Sequence, residues 1–197
     1  MLFAHDTTAA LVLGADLVNT APGLAADGEA IADAAALENF LDEHQVVPRR
    51  TARPADVAAV RALRPRLLAA WEAAGGPART ADVPRLAALV NELLDDSGAR
   101  PWLIDHGGGW GWHLHVTRPD APLVDRIAAQ AAFALADLVR LGESERLRRC
   151  AAPGCHAVLV DLSRNRSHRY CDTGNCGNRQ HAAAYRARRA LRSAAGG

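Results

Sequence analysis

The stretch Cys150-Ala-Ala-Pro-Gly-Cys155 is followed, after fifteen residues, by Cys171-Asp-Thr-Gly-Asn-Cys176, and these four cysteines are the only ones in the chain. Two close cysteine pairs that bracket a short, polar and β-prone segment have the spacing of a structural zinc site, in which each pair supplies two thiolates to a tetrahedron. The segment has too little apolar content to fold alone, and a metal can supply the missing folding free energy. We therefore predict one structural Zn²⁺ ion bound by Cys150, Cys155, Cys171 and Cys176.

The alternatives to a zinc site are a pair of disulfides and a set of unrelated free thiols. Disulfides suit secreted proteins. The chain opens with Met1-Leu-Phe-Ala-His-Asp6, which lacks the basic and apolar segments of a signal peptide. We therefore expect a cytoplasmic protein of bacterial type, in which thiols stay reduced. We expect no membrane association, because no apolar run approaches the roughly 18 residues of a membrane span.

Charge divides the chain into two unequal parts. Residues 146–197 contain eleven arginines and two acids, which gives a net charge of +9, whereas residues 1–145 carry −8. The net charge of +1 for all 197 residues hides this asymmetry. A body of one sign and a tail of the other indicate two parts with different partners, and the basic part favours a polyanion.

Residues 1–145 have the pattern of a mainly α domain with one small β-hairpin. Helical periodicity and helix-ending residues predict five helices: Ala9–Thr20, Ile31–His44, Arg53–Ala74, one that begins at Asp82-Val-Pro84, and Leu123–Leu141. Pro65 inside the third helix predicts a kink or a break. Two short strands, Pro101–Asp105 and Trp110–Thr117, are joined by a glycine turn and predict the hairpin.

The hairpin tryptophans have two interpretations. Trp102, Trp110 and Trp112, together with Asn19, are candidates for the lining of a ligand pocket. Ordinary core packing is the favoured alternative, because aromatic side chains usually serve as bulk apolar area.

No catalytic motif accompanies the hairpin. His113 and His115 share one strand face, as a metal-binding pair would, but the sequence offers no third ligand, and a solvated polar face is favoured. The sequence has no phosphate-binding glycine loop between a strand and a helix and no nucleophile elbow. We therefore expect a protein that is not an enzyme.

Residues 146–197 predict a zinc knuckle, a hairpin and a helix, the order of a treble-clef module. Pro153-Gly154 forms the knuckle turn, Ala157–Asp161 and His168–Tyr170 form the hairpin, and Cys176 begins a helix that extends to Arg192. One arc of that helix is small and apolar, and we expect it to pack on the hairpin or the body. The residues of this arc are Ala183, Ala184, Ala187, Ala190 and Leu191.

The opposite arc of the last helix is basic and is expected to face outward. Surfaces made for solubility alone mix both signs of charge, and this one has almost no acids. Nucleic-acid contact is therefore favoured over contact with a protein or anionic ligand and over a merely solvated face. The candidate contacts are Arg164, Arg166, Arg169, Arg179, Arg186, Arg189 and Arg192.

Two stretches resemble known families. Cys176-Gly-Asn-Arg179 resembles the signature of the CGNR zinc finger, and Asp161-Leu-Ser-Arg-Asn-Arg-Ser-His-Arg-Tyr-Cys171 is similar to that family's D-x-S-R-N-x-S-R-R-W-C run. His168 and Tyr170 depart from that run, where the family has arginine and tryptophan. Leu11–Thr20 resembles the opening of the ABATE domain, described as a stress-induced transcription regulator, with Asn19-Thr20 as the most recognisable piece.

The resemblance implies a helical sensor or interaction domain (residues 1–145) joined to a zinc-bearing, DNA-binding end (residues 146–197). We predict a transcription regulator that binds double-stranded DNA and whose N-terminal domain senses a small-molecule effector or mediates interaction. The alternative is a protein-interaction or small-molecule-binding adaptor in which zinc is purely structural. A symmetric DNA reader would also need to be a homodimer.

Overall fold

The computed structural model describes residues 3–25, 28–46, 51–75, 80–105, 112–118 and 120–195, with the backbone alone for residues 113, 190, 191 and 193–195. Within these ranges the chain is mainly helical, as predicted, with two small antiparallel hairpins. The elements are α1 (His5–Asn19), α2 (Ala34–Glu43), α3 (Pro54–Ala74), α4 (Val83–Asp96), β1 (Trp102–Asp105), β2 (Trp112–His115), α5 (Leu123–Arg140), β3 (Leu147–Arg149), β4 (Val158–Val160) and α6 (Cys176–Ala195).

Aspartate side chains fix the first turns of two helices. Asp33 accepts a hydrogen bond from the backbone N–H of Ala36 at 2.9 Å, and α2 follows it. Asp82 accepts one from the N–H of Arg85 at 3.1 Å, and α4 follows with Pro84 in its first turn. A carboxylate at this position satisfies an N–H that has no partner within the helix. The start predicted at Asp82 is confirmed.

The sequence predicts a kink or a break at Pro65, and of these two the break is wrong, because α3 continues through Pro65. Proline lacks the N–H that would bond to the carbonyl four residues earlier, which here belongs to Arg61. The side-chain Nε of Arg64 donates to that carbonyl oxygen at 3.4 Å and replaces part of the lost bond. A neighbouring arginine side chain therefore gives this carbonyl a partner in place of the missing N–H.

α5 is the central helix of the body and packs against α1, α3 and α4. Its apolar face is rich in alanine, which allows the surrounding helices to approach closely. None of the described helices is both long and apolar enough to cross a bilayer. The fully buried side chains of this core include Leu11, Leu17, Leu67, Leu86, Leu93, Ile127, Leu135 and Leu138.

The first hairpin, β1–β2, lies where the sequence predicts it. Trp102 pairs with His115, and Asp105 pairs with Trp112, in antiparallel register. Of the predicted elements, the glycine turn and Trp110 lie outside the described residues. The apolar side chains of this hairpin are largely exposed, which the sequence does not predict. They are Trp102, Leu103, Trp112 and Leu114.

The second hairpin uses a different partner strand from the one predicted. β4 is the predicted first strand, but it pairs with β3, which precedes Cys150, with Leu147 opposite Val160. The cause is burial: Leu147 is fully buried and joins the same core cluster as the body helices. The predicted partner, residues 168–170, runs alongside the knuckle instead, where the carbonyl of Arg169 accepts from the N–H of Ala151 at 2.8 Å.

The β3–β4 hairpin is embedded in the body. Val158 and Val160 are buried within the core cluster that contains the body helices. Trp71 of α3 donates its indole N–H to the carbonyl of Leu159 at 3.0 Å. The strands that lead to and from the zinc knuckle are therefore part of the helical core.

α6 stands free of the core beyond its first turn. Cys176 is fully buried, but all side chains from 181 to 189 are exposed. The prediction that the alanine arc packs on the hairpin or body is therefore wrong for Ala183, Ala184 and Ala187, and Ala190 and Leu191 lie outside the described side chains. The physical reason is that the body already covers the β3–β4 hairpin, on which that arc was expected to pack.

Candidate metal centre and basic surface

The four cysteine sulfurs form one cluster, in which every Sγ lies within 4.8 Å of the others. The Sγ atoms of Cys155 and Cys171 are 3.7 Å apart, and those of Cys171 and Cys176 are 3.6 Å apart. In a tetrahedral site with a Zn–S bond of about 2.3 Å, the sulfurs lie about 3.8 Å from one another. The donor set and its spacing fit one zinc ion, which confirms the predicted cofactor.

Cys150 and Cys155 stand on the tight turn between β3 and β4. The N–H of Cys150 donates to the carbonyl of Ala157 at 2.8 Å, and that of Cys155 donates to Ala152 at 3.1 Å. Gly154 has a φ of +72°, in the left-handed region that glycine adopts without a steric penalty. The hairpin register therefore sets the two sulfurs on one side of the turn.

Cys171 and Cys176 are joined by a second turn that passes close to the sulfurs. A Cβ added to Gly174 would lie 3.1 Å from the Sγ of Cys176 and 3.2 Å from that of Cys171. Contacts this close are unusual, so a Cβ at residue 174 would push the two sulfurs aside by a few tenths of an ångström. The closeness of the second turn to the metal site therefore favours glycine there.

Two donors stabilise negative charge on the sulfurs. The N–H of Cys171 donates to the Sγ of Cys150 at 3.3 Å, and the guanidinium of Arg179 donates to the Sγ of Cys176 at 3.0 Å. Burial raises the pKa of Cys155 and Cys171. Burial also acts to raise the pKa of Cys176, but the bonds from Arg179 and the neighbouring thiols lower it overall. Zinc binds thiolates, so such donors favour the binding form.

The carboxylate of Asp161 organises the loop that precedes the second cysteine pair. It is fully buried, forms an ion pair with Arg148 at 2.8 Å, and accepts the N–H groups of Ser163 at 3.0 Å and His168 at 3.2 Å. Reasoning from residue types treats this run as a polar turn. The resemblance to the CGNR run was the one sequence signal that marked Asp161.

The predicted DNA-contacting arginines divide into two groups. Arg166 forms an ion pair with Glu143 at 2.9 Å, and the guanidinium of Arg179 contacts a cysteine sulfur. These two side chains therefore have partners within the protein. All seven predicted contacts are exposed, these two included, and so is Arg188, which was not among them. The other five are Arg164, Arg169, Arg186, Arg189 and Arg192.

Two family models match the chain. The family described as "Putative stress-induced transcription regulator", ABATE, matches residues 11–142. The chain belongs to the ABATE family. The CGNR zinc finger matches residues 146–189, which include the four clustered cysteines. No curated protein matches the chain.

Asn19, in the matched ABATE region, joins that region to the zinc finger. Its side-chain amide donates to the carbonyl of Val158 at 2.8 Å and accepts the N–H of the same residue at 2.8 Å. Both atoms lie in a buried setting, so the amide serves as an extra strand partner for β4. Asn19 was predicted as a pocket residue, but the structure places it in this joint.

The tryptophans of the predicted pocket lie elsewhere in the ABATE region. Trp102 is 44% exposed with the guanidinium of Arg118 over its ring at 5.9 Å, and Trp112 is 73% exposed. Trp110 lies outside the described residues. Exposure of this extent contradicts the favoured alternative of core packing, and the ligand pocket stays a prediction. The two described rings are surface features of the ABATE part.

An acidic cluster marks the same joint between the ABATE part and the zinc finger. Burial raises the pKa of Asp16 to about 6, and the negative charges of Asp172 and Glu43 contribute to the rise. His44 lies 3.7 Å from Asp16, but burial lowers the pKa of its imidazole. A neutral imidazole gives Asp16 no counter-charge at neutral pH. The joint therefore combines apolar packing with carboxylates that repel one another.

Proposed function

We propose that this protein is a DNA-binding transcription regulator, and not an enzyme, in which one zinc ion shapes a basic module that contacts duplex phosphates. The family description of the ABATE part supports regulation, and the zinc finger supplies the module. The observation that carries the proposal is α6, a helix of 20 residues whose side chains from 181 to 189 are all exposed.

The surface that would meet DNA is cationic without internal compensation. Four of the module's arginines are paired with acids: Arg146 and Arg166 with Glu143, Arg148 with Asp161, and Arg149 with Glu72. Other arginine side chains of the module have no acid within ion-pair distance among the described residues, and the sequence has no acid after residue 172. These arginines are Arg164, Arg169, Arg186, Arg188 and Arg192.

Charge of this kind binds the phosphate backbone without reading the bases. Each guanidinium that pairs with a phosphate releases condensed counterions, and affinity falls as salt rises. Five such contacts give a slope of about −4 to −5 in a plot of log affinity against log salt. Bound zinc supplies folding free energy to the module. Arg179 donates to the Sγ of Cys176, one of the zinc ligands, and so ties the first turn of α6 to the metal site.

The proposal is tested by titrating a fluorescently labelled DNA duplex with the full-length, zinc-loaded protein at several salt concentrations. We expect binding at low salt, with the steep slope given above. Absence of binding at low salt, or binding that does not depend on salt, would contradict the proposal.

The exposed β1–β2 hairpin favours a second function for the ABATE part. Large apolar side chains are rarely exposed side by side on a protein without a partner. Trp112 and Leu103 are 73% and 69% exposed on this hairpin. We propose that the hairpin is a contact surface for a partner protein, as the adaptor interpretation requires, and that an effector would act on the ABATE part. Retention of DNA binding after Trp112→Ala would separate the two functions.

A further inference from the structure

A cleft of about 550 Å³ lies beside the zinc centre, between the segment 167–172 and the first turns of α6. Its lining is mainly polar, with donors suited to an anion. Its lining includes the donor-bearing side chains of Ser167, His168, Arg169, Asn175, Asn178 and His181. Asp172 is the one acid among the lining residues, and its side chain is 96% exposed.

One line of side chains on α6 continues this cleft. At 100° per residue, His181, Tyr185, Arg188 and Arg192 fall within about 60° of arc. All four are exposed. They span eleven residues of helix, or about 17 Å. We call these four residues the cleft stripe, because His181 belongs both to it and to the cleft lining.

We propose that the cleft and the cleft stripe together bind the sugar-phosphate backbone of one strand of duplex DNA. The cleft takes one phosphate, and Arg188 and Arg192 take phosphates further along the same strand. This inference rests on the DNA binding proposed above and deepens it by stating which side of α6 faces the duplex. Arg188, absent from the contacts predicted by sequence, becomes a principal one.

Charge and donor chemistry favour this side of the helix. Arg169 in the cleft and Arg188 in the stripe have no acid within ion-pair distance among the described residues. Guanidinium groups bind phosphate oxygens through two parallel hydrogen bonds, and asparagine amides add neutral donors. The hydroxyl of Tyr185, which is 60% exposed, adds a further donor between the cleft and Arg188.

Arg186 provides a matched control on the same helix. It is exposed, like Arg188, and lies two residues away. Its direction is roughly 130° from the middle of the cleft stripe, so it faces away from a strand bound there. Replacing either arginine with alanine removes one charge and leaves a good helix former. The two variants therefore differ only in the side of α6 that they alter.

Removing the negative charge of Asp172 should strengthen duplex binding, whereas removing the positive charge of Arg188 should weaken it. The carboxylate of Asp172 lies 3.9 Å from the Nε2 of His168 at the cleft and repels a phosphate bound there. Asp172→Asn should therefore tighten duplex binding. Asp95→Asn, which removes an exposed acid from α4, is the control with the same change in net charge.

The experiment measures duplex affinity and its salt dependence for the full-length, zinc-loaded variants, with zinc content and helical circular dichroism matched to wild type. We expect Arg188→Ala to weaken binding about tenfold and to reduce the salt slope by about 0.9, the value of one lost phosphate contact. We expect Arg186→Ala to change affinity by less than about twofold, and Asp172→Asn to tighten it about threefold relative to Asp95→Asn.

The possible outcomes distinguish failure of the proposed DNA binding from failure of the proposed orientation of α6. If wild type does not bind duplex, the proposed function fails and the inference with it. If wild type binds but Arg186→Ala weakens binding as much as Arg188→Ala, the function stands and this orientation is overturned. If Arg169→Ala, which removes the guanidinium of the cleft, leaves duplex affinity unchanged, the cleft takes no phosphate and the inference is overturned as well.

Discussion

At the scale of single residues, the metal centre depends on a glycine that contributes no side chain. Gly174 lies against two ligand sulfurs, whereas a Cβ at Gly177 would meet only Tyr170, at 3.8 Å. We expect Gly174→Ala to lower zinc affinity by at least about tenfold, because the sulfurs must move, and Gly177→Ala to retain zinc. Chelator competition measures both affinities. Equal zinc retention in the two variants would mean that the sulfurs tolerate displacement.

Single residues also show how much of the site can be predicted from the sequence. The four zinc ligands can be predicted from the spacing of the cysteines, because they form two pairs whose members are close together in the sequence. Arg179 is predicted to contact DNA, and the structure also places its guanidinium 3.0 Å from the Sγ of Cys176. The residue type and the exposure of Arg179 do not reveal this second contact, because it depends on how the folded module brings the two side chains together.

At the scale of elements, the joint between α1 and β4 carries a direct test. Asn19→Ala removes the partners of both the N–H and the carbonyl of Val158. Burying two unsatisfied backbone groups should lower the free energy of unfolding by about 3 kcal/mol. Asn91→Ala, at an exposed position of α4, should change it by less than about 0.5 kcal/mol. Urea unfolding measures both values, and equal effects would remove the joint's structural role.

Elements were predicted well where local signals decide and poorly where packing decides. The start of α4 follows from Asp82 and a nearby proline, which act within one turn. The pairing of β4 depends on Leu147, which is buried by helices from distant parts of the chain. The exposure of Ala183 likewise depends on what already covers the hairpin. Periodicity identifies an apolar face but does not identify what packs against it.

At the scale of the whole molecule, the sequence predicts the two charged parts but not how closely they interlock. The bonds between Asn19 and Val158 cross 139 residues, and that between Trp71 and Leu159 crosses 88. Because β3 and β4 belong to the core of the ABATE part, the zinc finger packs directly on that part and is not a separate domain joined by a linker. The basic helix α6 extends from this shared core.

The central claim is that this zinc-held helix and the cleft at its base are the surface that meets DNA. The most direct measurement is a map of backbone amide shifts in the full-length, zinc-loaded protein as duplex is added at low salt. We predict that the shifts concentrate in residues 167–172 and along α6, with the β1–β2 hairpin unchanged. Shifts confined to the hairpin and the helical body, or none at saturating duplex, would contradict the account.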